Sequence, residues 1–308
     1  MVTLSFPGLG IGEFTFNKVA FELFGLEVRW YGIIITCAII VGFLYANYRA
    51  KYEGISTDDL LDYAIYTVIF SIIGARAYYV LTTLDTHVYD SLYDVIAIWE
   101  GGIAIYGAVI AGAITIFVIS KIKKIKPAKA LDMVAPGVMI AQAIGRWGNF
   151  TNGEAFGGET DIFCRMGILH EDWKRTYYVH PTFLYESLWN LVGFILINAF
   201  YRKKKFDGQI LLMYITWYGF GRMFIEGLRT DSLYIFGTVR ISQLVGFLCF
   251  LVGTVLLIVF GMKARKARLA EGEYENVYHL EVEGVENETK EEAAEEAAEN
   301  GEENGEDN

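Results

Sequence analysis

The chain is written as long apolar runs separated by short charged stretches. A helix that crosses a bilayer needs about 20 mostly apolar residues. Seven runs approach that requirement: residues 30–48, 61–81, 95–119, 133–149, 182–200, 209–226 and 239–262. The fourth and sixth carry charges within apolar sequence, and the third includes a glycine-rich stretch near its start. Lipid offers backbone N–H and C=O groups no water to bond with, so each run is expected to be helical. The pattern therefore predicts an all-α integral membrane protein of about seven transmembrane helices. Residues 1–6 lack a basic stretch followed by an apolar core, so the first run is expected to remain as an anchor rather than act as a cleavable signal.

The charges between the runs set an expected orientation. Arg49 and Lys51 follow the first run, and Lys121, Lys123, Lys124, Lys126 and Lys129 follow the third. Arg202, Lys203, Lys204 and Lys205 follow the fifth, and Lys263, Arg265, Lys266 and Arg268 follow the seventh. Residues 82–94 contain no Lys or Arg, and residues 227–238 contain only Arg229. Basic loops thus alternate with poor ones. Because basic loops tend to stay cytoplasmic, the N-terminus is expected outside and the C-terminus inside. Residues 150–181 then form the largest external segment, an expected head loop region.

Composition divides the chain unevenly. Its 308 residues carry a formal net charge of −11. Residues 269–308 alone hold sixteen acidic residues and one lysine, a net of −15, which leaves the body at +4. Two parts are expected: a polytopic membrane domain over 1–268, and an acidic, disordered cytoplasmic tail over 269–308. A mildly basic body suits an anionic bilayer surface; no nucleic-acid partner is expected. Cys37, Cys164 and Cys249 are too scattered for a metal site or a disulfide framework.

Candidate chemistry lies where charge enters the apolar runs. Such residues are costly at membrane depth and usually face a cavity or a partner. Tyr218, Arg222 and Glu226 recur at spacing four in the sixth run, which places them on one helical stripe. Arg229 falls near the same face. An Arg222–Glu226 pair that only lowers insertion cost is one reading of that stripe. The fourth run ends in GRWGNFTNGEAFGG (145–158), which sets Arg146 among glycines beside Asn149, Glu154 and Gly157. Arginine presents a fork of donors that fits phosphate bidentately. Arg146 and Arg222 together read as a phosphate clamp. Arg76 in the second run, Glu186 at the opening of the fifth and Tyr106 at the opening of the third are further polar groups near the external ends. A transporter lined by these residues is a competing class, but the two halves show no internal repeat.

GRWGNFTNGEAFGG resembles the signature of prolipoprotein diacylglyceryl transferases. The likeness extends over most of the body, through VRWYG (28–32), GAR (74–76), WEGGIAIYG (99–107), HPTFLYE (180–186), YGFGRMFIEGLRTD (218–231) and RISQ (240–243), and stops near Arg268. It implies a seven-helix inner-membrane enzyme with an external head. It implies that phosphatidylglycerol donates its diacylglyceryl group to the lipobox cysteine of a prolipoprotein, leaving a thioether and glycerol 1-phosphate. No metal or organic cofactor is implied. The family's essential positions carry over as Tyr31, Arg146, Asn149, Glu154, Gly157, Tyr218, Arg222 and Glu226. Some members have a histidine where this chain has Tyr106, and an ordinary phenol, with pKa near 10, is a poor base at neutral pH. On this reading Arg146 and Arg222 hold the lipid phosphate, Glu226 and Glu154 orient the arginines or the glycerol hydroxyls, and Tyr106 or Tyr218 meets the headgroup or the incoming thiol.

Overall fold

The computed structural model describes residues 1–85, 88–170, 175–235 and 238–270. The acidic tail, beyond Ala270, lies outside the described residues. By internal contacts the chain forms two units, Met1–Leu257 and Ile258–Asn308. The described part of the second unit is helical.

The first unit begins with four strands, β1 (Val2–Phe6), β2 (Ile11–Phe16), β3 (Val19–Leu23) and β4 (Leu26–Arg29). Helices α1 (Trp30–Glu53) and α2 (Thr57–Thr83), the short α3 (Leu92–Ile96), α4 (Ile105–Ile122) and α5 (Pro127–Asn152) follow. Strands β5 (Met166–His170) and β6 (Arg175–Val179) precede α6 (Thr182–Phe200) and α7 (Gln209–Ile225), and the two-residue strands β7 (Tyr234–Ile235) and β8 (Val239–Arg240) come next. The last helix, α8, covers Ile241–Ala270.

Each expected span falls on a helix. Five of them, α1, α2, α4, α6 and α8, are long and apolar enough to cross a membrane. Helix α7 is short, at 17 residues, and α5 carries Lys129, Asp132, Gln142 and Arg146 along its length. Both are packed by other helices: α5 touches α1, α4, α6 and α7. Asp132 and Arg146 of α5 and Arg222 of α7 are met by other protein groups, so these two helices can carry charge within apolar sequence. The third run also starts late. Residues 95–104 give the end of α3, a turn of 3-10 helix and an extended stretch, because Gly101 and Gly102 take positive φ values of 95° and 72° that a helix cannot hold.

The all-helical expectation needs correction. Strands β2-β1-β5-β6 form an antiparallel four-stranded sheet that joins the first residues to the segment between α5 and α6. In β1, Val2, Leu4 and Phe6 share one buried face, and Ser5 on the other face is buried too. Val2, Leu4 and Phe6 pack with Met166, Val179 and Phe183 into a core that fastens the sheet to the start of α6. Runs this short and alternating fall below the length threshold that reveals a spanning helix.

Glycines set how closely the helices approach. A Cβ on Gly137 of α5 would stand 2.7 Å from the Gly42 carbonyl of α1, and one on Gly219 of α7 would stand 2.6 Å from the Gly246 carbonyl of α8. Gly74 of α2 and Gly107 of α4 meet in the same way. Small residues at such seams permit backbone contact, which replaces hydrophobic drive between helices in lipid. At the end of the bundle opposite the sheet, Asp132 accepts the N–H groups of Gly208 (2.8 Å) and Leu211 (2.9 Å) and so caps the start of α7. Lys204 reaches both Glu53 oxygens at 2.6 Å and Asp132 at 3.2 Å. Lys204, from one of the basic loops, is therefore part of a buried clasp between α1, α5 and α7.

Candidate active site

The sheet end of the bundle gathers the N-termini of α1, α4, α6 and α8 with the C-termini of α5 and α7. Its centre is Glu186, in the second turn of α6 and 4% exposed. One carboxylate oxygen, Oε2, pairs with Arg146 Nη2 of α5 at 2.6 Å. The other, Oε1, accepts from Arg222 Nη1 of α7 at 2.7 Å and lies 3.6 Å from Arg229 Nη1. Arg222 also pairs through Nη2 with Glu226 Oε2 at 2.6 Å, one turn along its own helix. The expected intrahelical pair is therefore present, but Arg222 also reaches a second helix.

Arg146 and Arg222 come from helices far apart in sequence and meet on one buried carboxylate. Each guanidinium has five N–H groups in a planar fork. The contacts to Glu186, Glu226 and Asn149 engage two nitrogens of each arginine. An anion entering between them would meet donors already held in place by carboxylates, at no new ordering cost to either arginine.

The other expected residues divide into those at the cluster and those that build it. Asn149 Oδ1 accepts from Arg146 Nη1 at 3.3 Å, and its amide donates to Glu154 Oε1 at 3.1 Å. Glu154 also accepts from Asn152 at 3.1 Å, so it orients Arg146 only through Asn149. Tyr218, one turn before Arg222, is close enough to feel the charges of Arg222, Arg146 and Glu186. The Tyr31 ring covers Gly148, where a Cβ would stand 2.9 Å from Tyr31 Cδ2. Tyr106 shares a 2.9 Å hydrogen bond with Ser242 at the start of α8. Gly157 is architectural: its N–H donates to the His180 carbonyl at 2.9 Å, and its backbone pairs with Arg229. A Cβ there would stand 2.9 Å from the Leu228 carbonyl. Glycine at 157 lets the segment after α7 close against the head.

Further residues brace the end of α7 and the approach to α4. Arg229 chelates Asp231 at 2.9 and 2.7 Å. Burial alone would raise the Asp231 carboxyl, but the Arg229 bonds hold it below its ordinary range. A depressed carboxylate contributes stability above its unfolded pKa and loses it as pH falls, so this pair is intact at neutral pH. Arg240 Nη1 donates to the Glu226 carbonyl at 2.8 Å and Gln243 Nε2 to the Met223 carbonyl at 2.9 Å, satisfying carbonyls at the end of α7. Arg76 is wrapped by backbone: it donates to the carbonyls of Val95 (2.8 Å), Gly101 (2.7 Å), Gly102 (2.8 Å) and Asp94 (2.5 Å). The Asp94 and Val95 carbonyls belong to α3, and those of Gly101 and Gly102 to the turn that leads into α4 and Tyr106. Arg76 is therefore held by the backbone around it and takes no part in the Glu186 cluster.

A family model for prolipoprotein diacylglyceryl transferase matches residues 18–259. A Finegoldia magna protein described as phosphatidylglycerol–prolipoprotein diacylglyceryl transferase is 46% identical over 245 residues, 79% of this chain and 96% of that protein. Proteins of the same description from Listeria welshimeri and Staphylococcus haemolyticus are each 40% identical, covering 87% and 79% of this chain and 99% and 87% of their own lengths. The residues that meet around Glu186 lie within the matched region, and the chain belongs to the prolipoprotein diacylglyceryl transferase family.

Proposed function

We propose that this protein transfers the diacylglyceryl group of phosphatidylglycerol to the lipobox cysteine of prolipoproteins, the first step of lipoprotein maturation, with Arg146 and Arg222 clamping the lipid phosphate. The supporting observation is the placement of both guanidiniums on the two oxygens of one buried carboxylate. The chain is a multi-pass membrane enzyme; we read it as spanning the inner membrane seven times, with the N-terminus external, the C-terminus cytoplasmic and the arginine cluster at the external end.

The chemistry is displacement at carbon. The cysteine sulfur attacks the diacylglyceryl carbon that bears the phosphate ester. A C–S bond forms, the C–O bond to phosphorus breaks, and its electron pair leaves on glycerol 1-phosphate. That product is a stable anion and needs no proton at neutral pH. It needs charge stabilisation, which fixed donors supply best where water is scarce. The thiol, with an ordinary pKa near 8.5, must lose its proton. Tyr218 lies one turn before Arg222 and within reach of the charges of Arg222, Arg146 and Glu186, and the Tyr106–Ser242 bond gives the Tyr106 hydroxyl a partner through which a proton can pass.

The direct test presents purified protein with phosphatidylglycerol vesicles and a lipobox peptide. Release of glycerol phosphate with a mass gain on the cysteine is expected. Folded protein that releases none, whatever the lipid composition, would make the reading wrong. A second expectation concerns Arg76. Lysine there keeps the charge but cannot reach four carbonyls from one planar group, so the turn carrying Tyr106 shifts. Arg76→Lys should lower kcat about tenfold through misplacement of Tyr106, with KM for the lipid little changed, as read from initial rates across lipid concentrations.

A further inference from the structure

The hairpin β3–β4 stands apart from the four-stranded sheet and forms a two-stranded sheet of its own. Its register pairs Phe21 with Val28, Glu22 with Glu27 and Leu23 with Leu26. Alternation puts Phe21, Leu23, Leu26 and Val28 on one face and the two glutamates on the other. The turn residues Phe24 and Gly25 have φ values of 52° and 82°. Such two-residue turns usually take Asn-Gly, and a bulky side chain at positive φ is rare. Here that position presents a phenylalanine that is 97% exposed, with Phe21, Leu23 and Leu26 exposed at 52%, 51% and 73%.

Water does not account for this element. A lone two-stranded hairpin is marginal in water, and glutamates directly opposite one another weaken it further. Its apolar face needs a cover that the rest of the described chain does not supply. The hairpin runs without a linker into α1: Arg29 is the residue before the helix, and the Trp30 N–H donates to the Lys18 carbonyl at 3.1 Å. Trp30 and Tyr31, both part-exposed, begin a helix whose Ile39, Ile40 and Leu44 also face outward. Aromatic residues at a helix end mark the level of the lipid headgroups.

We infer that β3–β4 is a membrane-immersed hairpin, with Phe24, Leu23 and Leu26 in the leaflet at the α1 N-terminus and Glu22 and Glu27 toward water. Its occupant is lipid, because the hairpin leads directly into α1, whose Trp30, Ile39, Ile40 and Leu44 are exposed apolar residues on a helix long and apolar enough to cross a membrane. This rests on α1 crossing the bilayer.

The test places a nitroxide on Phe24→Cys, and separately on Leu26→Cys, in a full-length variant with Cys37→Ala, Cys164→Ser and Cys249→Ala, reconstituted at low density in phosphatidylglycerol-containing vesicles. Power saturation compares access of oxygen, which concentrates in lipid, with a water-soluble nickel chelate. Ile40→Cys serves as the lipid reference and Glu13→Cys as the water reference. Oxygen-dominated access at 24 and 26, as at 40, is the expected result. Nickel-dominated access at both, with residue 40 immersed, overturns the hairpin inference alone; nickel access at residue 40 overturns the spanning role of α1 instead. Shielding that develops only when a prolipoprotein is added makes the face a protein-docking surface and refutes the proposal, as does spin–spin broadening between copies.

Discussion

Replacement of Arg222 by lysine is expected to slow diacylglyceryl transfer by roughly 10²–10³-fold, the loss that follows removal of one well-placed donor to a developing anion. Lysine preserves the charge. It does not preserve the fork that lets one guanidinium bind Glu186 through Nη1 and Glu226 through Nη2, at 2.7 and 2.6 Å. An ammonium is a compact point charge, and the remaining donors would no longer aim at the phosphate. The alternative is that Arg222 only neutralises Glu226 inside the membrane. Buried ion pairs of that kind are often replaceable by apolar residues of similar volume without loss of stability. A paired change, Arg222→Met with Glu226→Leu, therefore separates the two ideas. A clamp predicts a folded protein that is inactive; a structural pair predicts a folded protein that still transfers lipid. Wild-type rates from both Arg222→Lys and Arg222→Ala would also dismiss the clamp.

What could be read from the chain followed the range of each interaction. The Tyr218–Arg222–Glu226 stripe is a repeat of four, so one helix suffices to place it. The clustering of Arg146 with Asn149 is equally local. Glu186 was legible as a buried charge in want of a partner, but not as the meeting point of three arginines. Its bond to Arg222 closes over 36 positions, and no periodicity encodes which helices touch. Arg76 shows another limit. A lone arginine near a helix end reads as a snorkelling side chain, because backbone carbonyls have no residue identity by which to be recognised. The sheet was missed for a related reason. Strand β1 pairs with β5 through Leu4 and Ile168, and alternation over five residues carries too little signal to announce a partner so remote. Gly157 was expected among the site residues by resemblance alone; its backbone pairing with Arg229 gives a physical reason for a residue without a side chain.

Glu186→Gln is expected to damage the enzyme more than any change to a single arginine, because it releases three guanidiniums at once. Arg146, Arg222 and Arg229 would face one another around a neutral amide, with Glu226 and Asp231 left to balance Arg222 and Arg229. Removing one partner from a buried ion pair costs about 3–5 kcal/mol, enough to lower the melting temperature in detergent. The kinetic signature should be a kcat loss of about 10³-fold or more. KM for phosphatidylglycerol should fall, because the site has lost a negative charge and attracts phosphate more strongly while aiming its donors worse. That split distinguishes an anchoring carboxylate from one that takes the thiol proton. A base would leave lipid affinity alone, and its variant would recover as rising pH ionises the thiol. An anchor would not recover at any pH, since alkali does not restore the geometry of the arginines. Glu186→Asp adds a graded control: it keeps the charge but shortens the reach, so it should bind one arginine well and the other poorly, with intermediate activity. Near-normal turnover in folded Glu186→Gln protein would mean that Arg146 and Arg222 need no shared carboxylate, and the observation on which the clamp rests would lose its force.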